Sequence, residues 1–494
     1  MNYRLVSKYL GHFLLATALL MLPSVAWAGY FQEWAALAAF LKSIALTVVF
    51  GLVLWFLGRN APNQMYQREA LALVAFGWFA IALVGAMPYM LADVLGPVDA
   101  YFESMSGFTT TGSSVLTDIE SVHKSILFWR SFTHWLGGMG IIVLFVAVLP
   151  YLGVGGKQLF KSESSGPDPR GLSPRIKDTA AILYRLYVAL TALQTLLLML
   201  AGMSFYDALC HTFGTLASGG YSTRNLSIAA YDSVAIEVII IFFMVLAGTN
   251  FGLFYAMLKG DYREAFQNTE WRVYMLILIG VTLVITANLL GMQGHIPGVP
   301  DPETPHYTPG SALRQASFQV VSLMSTTGFC SDNYELWPHL SRMLLVSVMI
   351  VGGCAGSTSG GLKVIRVIML LKIAGRRMEL LFRPKRIRAI QIDGQAVDEE
   401  VVRGVCGFFI LYGMVLISAS LYMSAIGLPF ESAFTSVVTT MNGVGPGLQF
   451  VGAVENFAFI PDSGKIVLCL CMLLGRLELF TLAVMIIPSF WKHS

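Results

Sequence analysis

Four short peptides decide how this chain is read: Thr109-Thr110-Thr111-Gly112, Ser218-Gly219-Gly220, Ser325-Thr326-Thr327-Gly328 and Asn442-Gly443-Val444-Gly445. Each closes an apolar stretch of about a dozen residues, which as helix rises only about 18 Å. A bilayer core is about 30 Å thick, so these stretches are predicted to re-enter rather than cross. The glycines recur evenly: 108 residues separate Gly112 from Gly220, 108 separate Gly220 from Gly328, and 117 lead on to Gly445. An alanine stands twelve residues before each, at Ala100, Ala208, Ala316 and Ala433. An alanine shared by all four marks an internal repeat rather than chance.

Composition supplies the setting. Of 494 residues, 56% are hydrophobic and 12% charged, against about 25% charged in an ordinary soluble domain. Too few charges remain to cover water-soluble domains, and a net charge of +3 does not suggest a nucleic-acid binder. The sequence predicts an all-α polytopic membrane protein. Apolar runs near 12–28, 34–57, 69–91, 125–150, 179–203, 233–258, 272–292, 341–374, 401–426 and 465–489 read as ten long helices. The unit is span, short helix, glycine peptide, span, repeated four times after a two-helix preface. Its divisions are 1–68 for the preface, 69–150 for unit one, 151–258 for a loop and unit two, 259–375 for unit three, and 376–494 for a basic loop and unit four.

Arg4, Lys8 and Ala26-Trp27-Ala28 imitate a secretory signal. The expectation is instead an uncleaved span from about His12 to Ala28, because a second apolar segment follows at once. Lys and Arg concentrate on one side: Arg59, Arg68, Lys157, Lys161, Arg170, Arg175, Lys177, Lys259, Arg263 and the run Arg376, Arg377, Arg383, Lys385, Arg386, Arg388. The other side holds mostly acids, among them Asp118, Glu120, Asp232, Asp301, Glu303, Asp332, Glu335, Glu455 and Asp462. The positive-inside rule then places both termini inside, including Lys492, with all four glycine peptides entering from the acidic outside. Six cysteines show no CxxC or zinc spacing.

Irregular backbone is tolerated at membrane depth only where protein or water satisfies it. Four such peptides can surround one axis. Glycine lets carbonyls turn inward, hydroxyls of Thr or Ser add oxygens, and a ring of neutral oxygens replaces the hydration shell of a monovalent cation. Each short helix, descending from outside, would point its partially negative C-terminus at the axis. Taken singly, each peptide reads as a helix-ending turn; it is their register within the repeat that favours a pore.

These features resemble the Trk/Ktr/HKT superfamily of potassium transporters, and most closely its bacterial TrkH branch, which adds a two-helix preface. The match runs over essentially the whole chain. It is carried by Ser106-Gly107-Phe108-Thr109-Thr110-Thr111-Gly112, by Arg130-Ser131-Phe132-Thr133-His134-Trp135-Leu136-Gly137-Gly138-Met139-Gly140 and by Gly352-Gly353-Cys354-Ala355-Gly356-Ser357-Thr358-Ser359-Gly360-Gly361. Asn442-Gly443-Val444-Gly445-Pro446-Gly447 and Gly475-Arg476-Leu477-Glu478 complete it.

The resemblance implies a K+ selectivity filter of Gly112, Gly220, Gly328 and Gly445, with carbonyls of Thr110, Thr111, Ser218, Gly219, Thr326, Thr327, Gly443 and Val444. A serine at the first filter glycine accompanies sodium permeability in some plant members, so Gly112 favours potassium, with rubidium. Ser218-Gly219 and Gly443-Val444 depart from the threonines of the other units, which predicts a less symmetric and less selective filter. The resemblance also implies a homodimer on a ring of nucleotide-binding regulatory subunits, called TrkA in this branch, in a bacterial inner membrane. No cofactor is expected, since Gly153-Val154-Gly155-Gly156 lacks the βαβ setting of a dinucleotide site.

The run 341–374 is interrupted by Gly352, Gly353, Gly356, Ser357, Thr358, Ser359, Gly360 and Gly361, a composition that a helix tolerates poorly. It reads either as a kink or as an unwound loop that occludes a pore, and the resemblance favours the gate. Leu362 separates Gly361 from Lys363 and breaks any phosphate-loop pattern. Arg476 falls about 16 Å into the last span, where a charge usually faces a pore or a partner; the resemblance makes it an arginine that opposes cation passage until the loop moves. Glu478, two residues on, would face elsewhere. His134 and Asn250 read as packing hydrogen bonds, with proton relay the alternative for His134, and Arg130 reads as an anchor or a short-helix contact. The basic run 376–388 suits anionic lipid headgroups or a partner at the inner face. A sodium- or proton-coupled symporter on the same scaffold remains open. A membrane enzyme is disfavoured, since the spans hold no paired carboxylates, HExxH or Ser/His/Asp set.

Overall fold

The computed structural model describes residues 1–62, 64–140, 176–291, 307–384 and 389–491. Within them the chain is helical throughout apart from one hairpin, Gln391–Ile392 paired antiparallel with Gln395–Ala396. Six helices are long and apolar enough to cross a membrane, or seven if one bent pair counts as a span. The protein is a multi-pass, all-helical membrane protein.

The six are the two preface helices, Tyr3–Tyr30 and Trp34–Gly58, and the first span of each unit, starting at Arg68, Ala181, Thr269 and Glu399. The preface begins at Tyr3 rather than near His12 and runs as Tyr3–Leu20 and Leu22–Tyr30. Its two arms cross on small residues, as membrane helices do where backbones must approach. A Cβ on Gly11 would lie 2.6 Å from the Gly51 carbonyl oxygen, and one on Gly58 would overlap that of Arg4.

The second spans of units two, three and four are broken, whereas the sequence points to a break only in unit three. In unit one, helix Lys124–Trp135 passes into a π turn, Leu136–Gly140. In unit two, Val234–Ala247 and Phe251–Leu258 meet at 97°. In unit three, His339–Val351 and Val364–Phe382 flank the long loop, and in unit four Asp462–Arg476 gives way to Phe480–Ile486. Gly248 ends the first helix of the bent pair in unit two. The break in unit four turns on Glu478 and Leu479, at φ 56° and 37°, positions where no residue type announces a left-handed turn.

The short helices are Pro97–Phe108, Phe205–Leu216, Pro309–Met324 and Phe430–Asn442. Ala100, Ala208 and Ala316 are wholly buried and Ala433 nearly so, which explains a small residue at that position in each. Two large apolar clusters hold the assembly. One joins the preface with units one and four, and the other joins units two and three with Val438, Val444 and Leu448 of unit four. Lys157, Lys161, Arg170, Arg175, Asp301, Glu303, Lys385, Arg386, Arg388 and Lys492 lie outside the described residues.

Candidate functional site

Every short helix ends the same way. The amide of Thr111 donates to the Ser106 carbonyl, that of Gly219 to Gly214, that of Thr327 to Ser322 and that of Val444 to Thr439, at 2.8–2.9 Å. This is the six-to-one bond of a Schellman cap. The cap needs a left-handed residue one position earlier, and Thr110, Ser218, Thr326 and Gly443 occupy it at φ 55°, 57°, 57° and 66°. Two residues on, Gly112, Gly220, Gly328 and Gly445 are left-handed again, at φ 84°, 76°, 78° and 98°. A left-handed, non-glycine residue costs roughly 1–2 kcal/mol, so three of the four caps hold strain that Gly443 avoids.

The four peptides touch in a closed ring. A Cβ on Gly112 would overlap the Gly219 carbonyl, one on Gly220 the Thr327 carbonyl, and one on Gly328 the Val444 carbonyl. The circuit closes where a Cβ on Gly445 would sit 3.0 Å from the Thr111 carbonyl oxygen. Each glycine therefore has two reasons to be glycine: its φ, and a neighbour's carbonyl in the space of its side chain.

A second ring of bonds joins the strands that leave the glycines. Ser113 Oγ donates to the Gly445 carbonyl (3.0 Å), the Ile228 amide to the Cys330 carbonyl (3.1 Å), and the Tyr334 hydroxyl to the Gly447 carbonyl (3.0 Å). Asn225 Nδ2 donates to Asp118 (2.9 Å), joining units one and two; this bond holds the exposed Asp118 carboxyl below its usual range.

Nine residues before three of the glycines stand Glu103, His211 and Gln319, each wholly buried, and each straps its own exit strand. Glu103 accepts from the Val115 amide at 2.9 Å, His211 Nε2 meets Ser222 Oγ at 2.9 Å, and Gln319 Nε2 donates to the Asp332 carbonyl at 3.2 Å. Arg130 pairs with Glu103 at 2.5 Å, lies over the Tyr221 ring at 3.4 Å and donates to the Ser222 carbonyl at 3.1 Å. Arg130 thus packs a short helix rather than anchoring at the surface. Glu103 is one of two carboxylates, with Asp99, in the short helix Pro97–Phe108, and nothing in the sequence singles it out.

His134 Nδ1 donates to the Gly107 carbonyl at 2.8 Å, and its ring stacks on Tyr221 with centroids 4.0 Å apart. A Cβ on Gly219 would come within 2.5–2.7 Å of that imidazole. Unit two therefore lacks the threonine of its counterparts because His134 fills the space. Asn250 makes a local bond rather than an interhelical one, accepting from the Gly252 amide at 2.8 Å.

The long loop of unit three runs beneath the peptides. Thr358 Oγ1 is 2.8 Å from Ser218 Oγ, Ser359 Oγ donates to the Ser325 carbonyl at 2.7 Å, and the Gly360 amide donates to Thr326 Oγ1 at 2.7 Å. A Cβ on Gly360 would overlap the Asn442 carbonyl. Gly352, Gly356 and Gly361 are left-handed at φ 72°, 73° and 80°, while a Cβ on Gly353 would lie 3.0 Å from the Gly248 carbonyl oxygen. Ser357 Oγ donates to the Cys354 carbonyl at 2.5 Å, within the loop itself.

Arg476 ends its helix rather than lying within a continuous one. It donates to the carbonyls of Thr358 (3.3 Å), Gly138 (3.0 Å) and Gly137, so it bridges loop, unit one and unit four. Glu478 turns away from it to Arg366, at 2.5 Å. A cavity of about 80 Å³ is lined by Thr110 and Gly443 of the peptides and by Ser359, Gly360 and Arg476. Among the described residues, no cluster of His, Cys, Asp or Glu is arranged to hold a metal ion.

The known proteins that share this fold are named as transport proteins rather than enzymes. Residues 36–493 match the family described as cation transport protein TrkH, and the chain belongs to that family. It is 38% identical to the Trk system potassium uptake protein TrkH of Salmonella typhimurium over the full length of both. It is 39% identical to that of Escherichia coli K12, with 92% of each chain covered. The crystal structure of the potassium transporter TrkH from Vibrio parahaemolyticus superposes with a TM-score of 0.87 at 34% identity, covering all of both chains.

Proposed function

We propose that this chain is the pore-forming subunit of a potassium uptake system. K+, with Rb+, passes through a filter of backbone carbonyls contributed by the peptides ending at Gly112, Gly220, Gly328 and Gly445. The closed circuit of contacts from Gly112 to Gly219, Gly220 to Thr327, Gly328 to Val444 and Gly445 to Thr111 carries this reading. Carbonyl oxygens on one axis substitute for a monovalent cation's water shell, and four helix C-termini converging there add partial negative charge. The names of the relatives, all potassium uptake proteins, support K+ as the cargo.

In this reading the loop Gly352–Gly361 is the gate. It fills the space under the filter, and Arg476, bonded to its Thr358 carbonyl, sets a positive charge on the cation's route. Opening requires the loop to release Ser218, Ser325 and Thr326. The subunit works as a homodimer with a nucleotide-binding ring at the basic face of an inner membrane, in contact with anionic lipid.

The test is cation flux into proteoliposomes containing the purified chain, comparing K+, Rb+, Cs+, Na+ and Li+. Uptake of K+ and Rb+ well above Na+, without any added driving ion, is expected. Flux that appears only under a proton or sodium gradient would replace the gated pore with a symporter, and equal flux of all five ions would dispose of the filter.

A further inference from the structure

The base of the long loop is tied by one carboxylate. Glu270, second residue of helix Thr269–Gly291, is buried. Its Oε1 accepts from the Ala355 amide at 2.7 Å and from the Ile365 amide at 3.0 Å. The first amide lies where the loop begins. The second lies in the first turn of helix Val364–Phe382, whose amides lack intrahelical partners and favour a negative charge. One oxygen thus holds the entrance and exit of the loop together.

The preceding residue carries the connection outward. The Thr269 amide and hydroxyl both donate to Asp393 Oδ1, at 2.9 and 2.5 Å. Asp393 and Gly394, at φ 49° and 77°, form the two-residue turn of the hairpin Gln391–Ile392/Gln395–Ala396, the Asp-Gly pattern that such hairpins select. Ile392 and Val397 beside the turn pack against a cluster that includes Ala355 and Ile365. Lys372, from the helix that leaves the loop, donates to the Gln391 carbonyl at 2.5 Å. The hairpin therefore reaches both ends of the loop through apolar contact, and through Asp393, Thr269 and Glu270 as a polar relay.

We infer that Glu270 is the positioning residue that keeps the Gly352–Gly361 loop closed, and that the Asp393 hairpin braces Glu270 through Thr269. The effect on flux rests on the loop being the gate; the effect on the loop's own exposure does not. Cys354, in the loop immediately before the tied Ala355 amide and 1% exposed, supplies a direct readout. In the full chain with Cys210, Cys330, Cys406, Cys469 and Cys471 replaced by serine or alanine, the rate of Cys354 labelling by a small maleimide is measured in detergent, and Rb+ flux in proteoliposomes. Glu270→Ala, which removes two hydrogen bonds, is expected to speed labelling about tenfold. Glu270→Gln keeps an acceptor oxygen and should stay within about twofold of the parent. Asp393→Ala, in an exposed turn, should speed labelling by about threefold.

Labelling of the Glu270→Ala protein at the parent rate, or the same rate for Ala and Gln, overturns the clamp. Should Glu270→Ala fail to fold, parent-rate labelling of Asp393→Ala overturns the relay on its own. Faster labelling with raised Rb+ flux supports clamp and gate together. Faster labelling with unchanged flux supports the clamp and removes the loop from the role of gate.

Discussion

Units one and four perform the same turn with different residues. At the left-handed cap position unit one places Thr110, at φ 55°, and unit four Gly443, at φ 66°. A side chain at Gly443 would find nothing closer than the Thr110 carbonyl at 3.8 Å, so space does not demand glycine there. At the next left-handed position, by contrast, Gly112 and Gly445 both face a neighbouring carbonyl. The repeat thus contains two kinds of glycine. One relieves strain and is exchangeable; the other makes room for the adjoining unit and is not.

That distinction can be broken most forcefully at the second kind. Gly112→Ala, which forces a methyl onto the Gly219 carbonyl, is expected to abolish K+ flux in proteoliposomes while the protein stays in the membrane; retained flux would mean that the peptides do not form the conducting ring. Next in size is Arg130→Met. It leaves the buried Glu103 without its guanidinium partner, and breaking such a pair costs about 3–5 kcal/mol, so a large fall in the thermal midpoint of the detergent-solubilised protein is expected. A fall no larger than that of a surface substitution would dismiss the pair as a support.

Gly219→Thr restores the threonine of units one and three, yet should lower stability by about 1–3 kcal/mol through overpacking on His134. Adding His134→Ala should recover part of that loss, and a double-mutant cycle reads the coupling directly. Simple additivity would sever the link between the two residues. The smallest effect belongs to Gly443→Ser. It should lower stability by no more than about 1–2 kcal/mol, the cost of a left-handed side chain, and leave K+ flux in place; a collapse of either would show the two kinds of glycine to be one.

The helical membrane class and the four glycine peptides were legible because they rest on length, composition and recurrence. The long loop of unit three announced itself through five glycines in ten residues. The other breaks were harder. Gly248 looks like an ordinary small residue in a membrane helix, and unit four breaks at Glu478 and Leu479, where no glycine signals it. Glu103 and Glu270 were opaque for a different reason. Their partners are Arg130 and the backbone amides of Val115, Ala355 and Ile365, and an amide as partner leaves no mark in the sequence. The departures at Ser218-Gly219 were visible, but their cause was not, since only the fold brings His134 of unit one behind Gly219 of unit two.

The closing contact of the ring has a consequence for how the molecule is made. Ser113 and the Gly445 carbonyl are 332 residues apart in the chain, and at a synthesis rate of about 5–20 residues per second the first waits roughly 17–66 seconds for the second to be built. Until then the peptide ending at Gly112 has one neighbour instead of two, and its strained Thr110 turn is held on one side only. Contacts of such long sequence separation are slow to form. The first quarter of the protein is thus the earliest to be inserted and the last to be finished, and a ribosome that stalls before the fourth unit leaves an unclosed ring in the membrane.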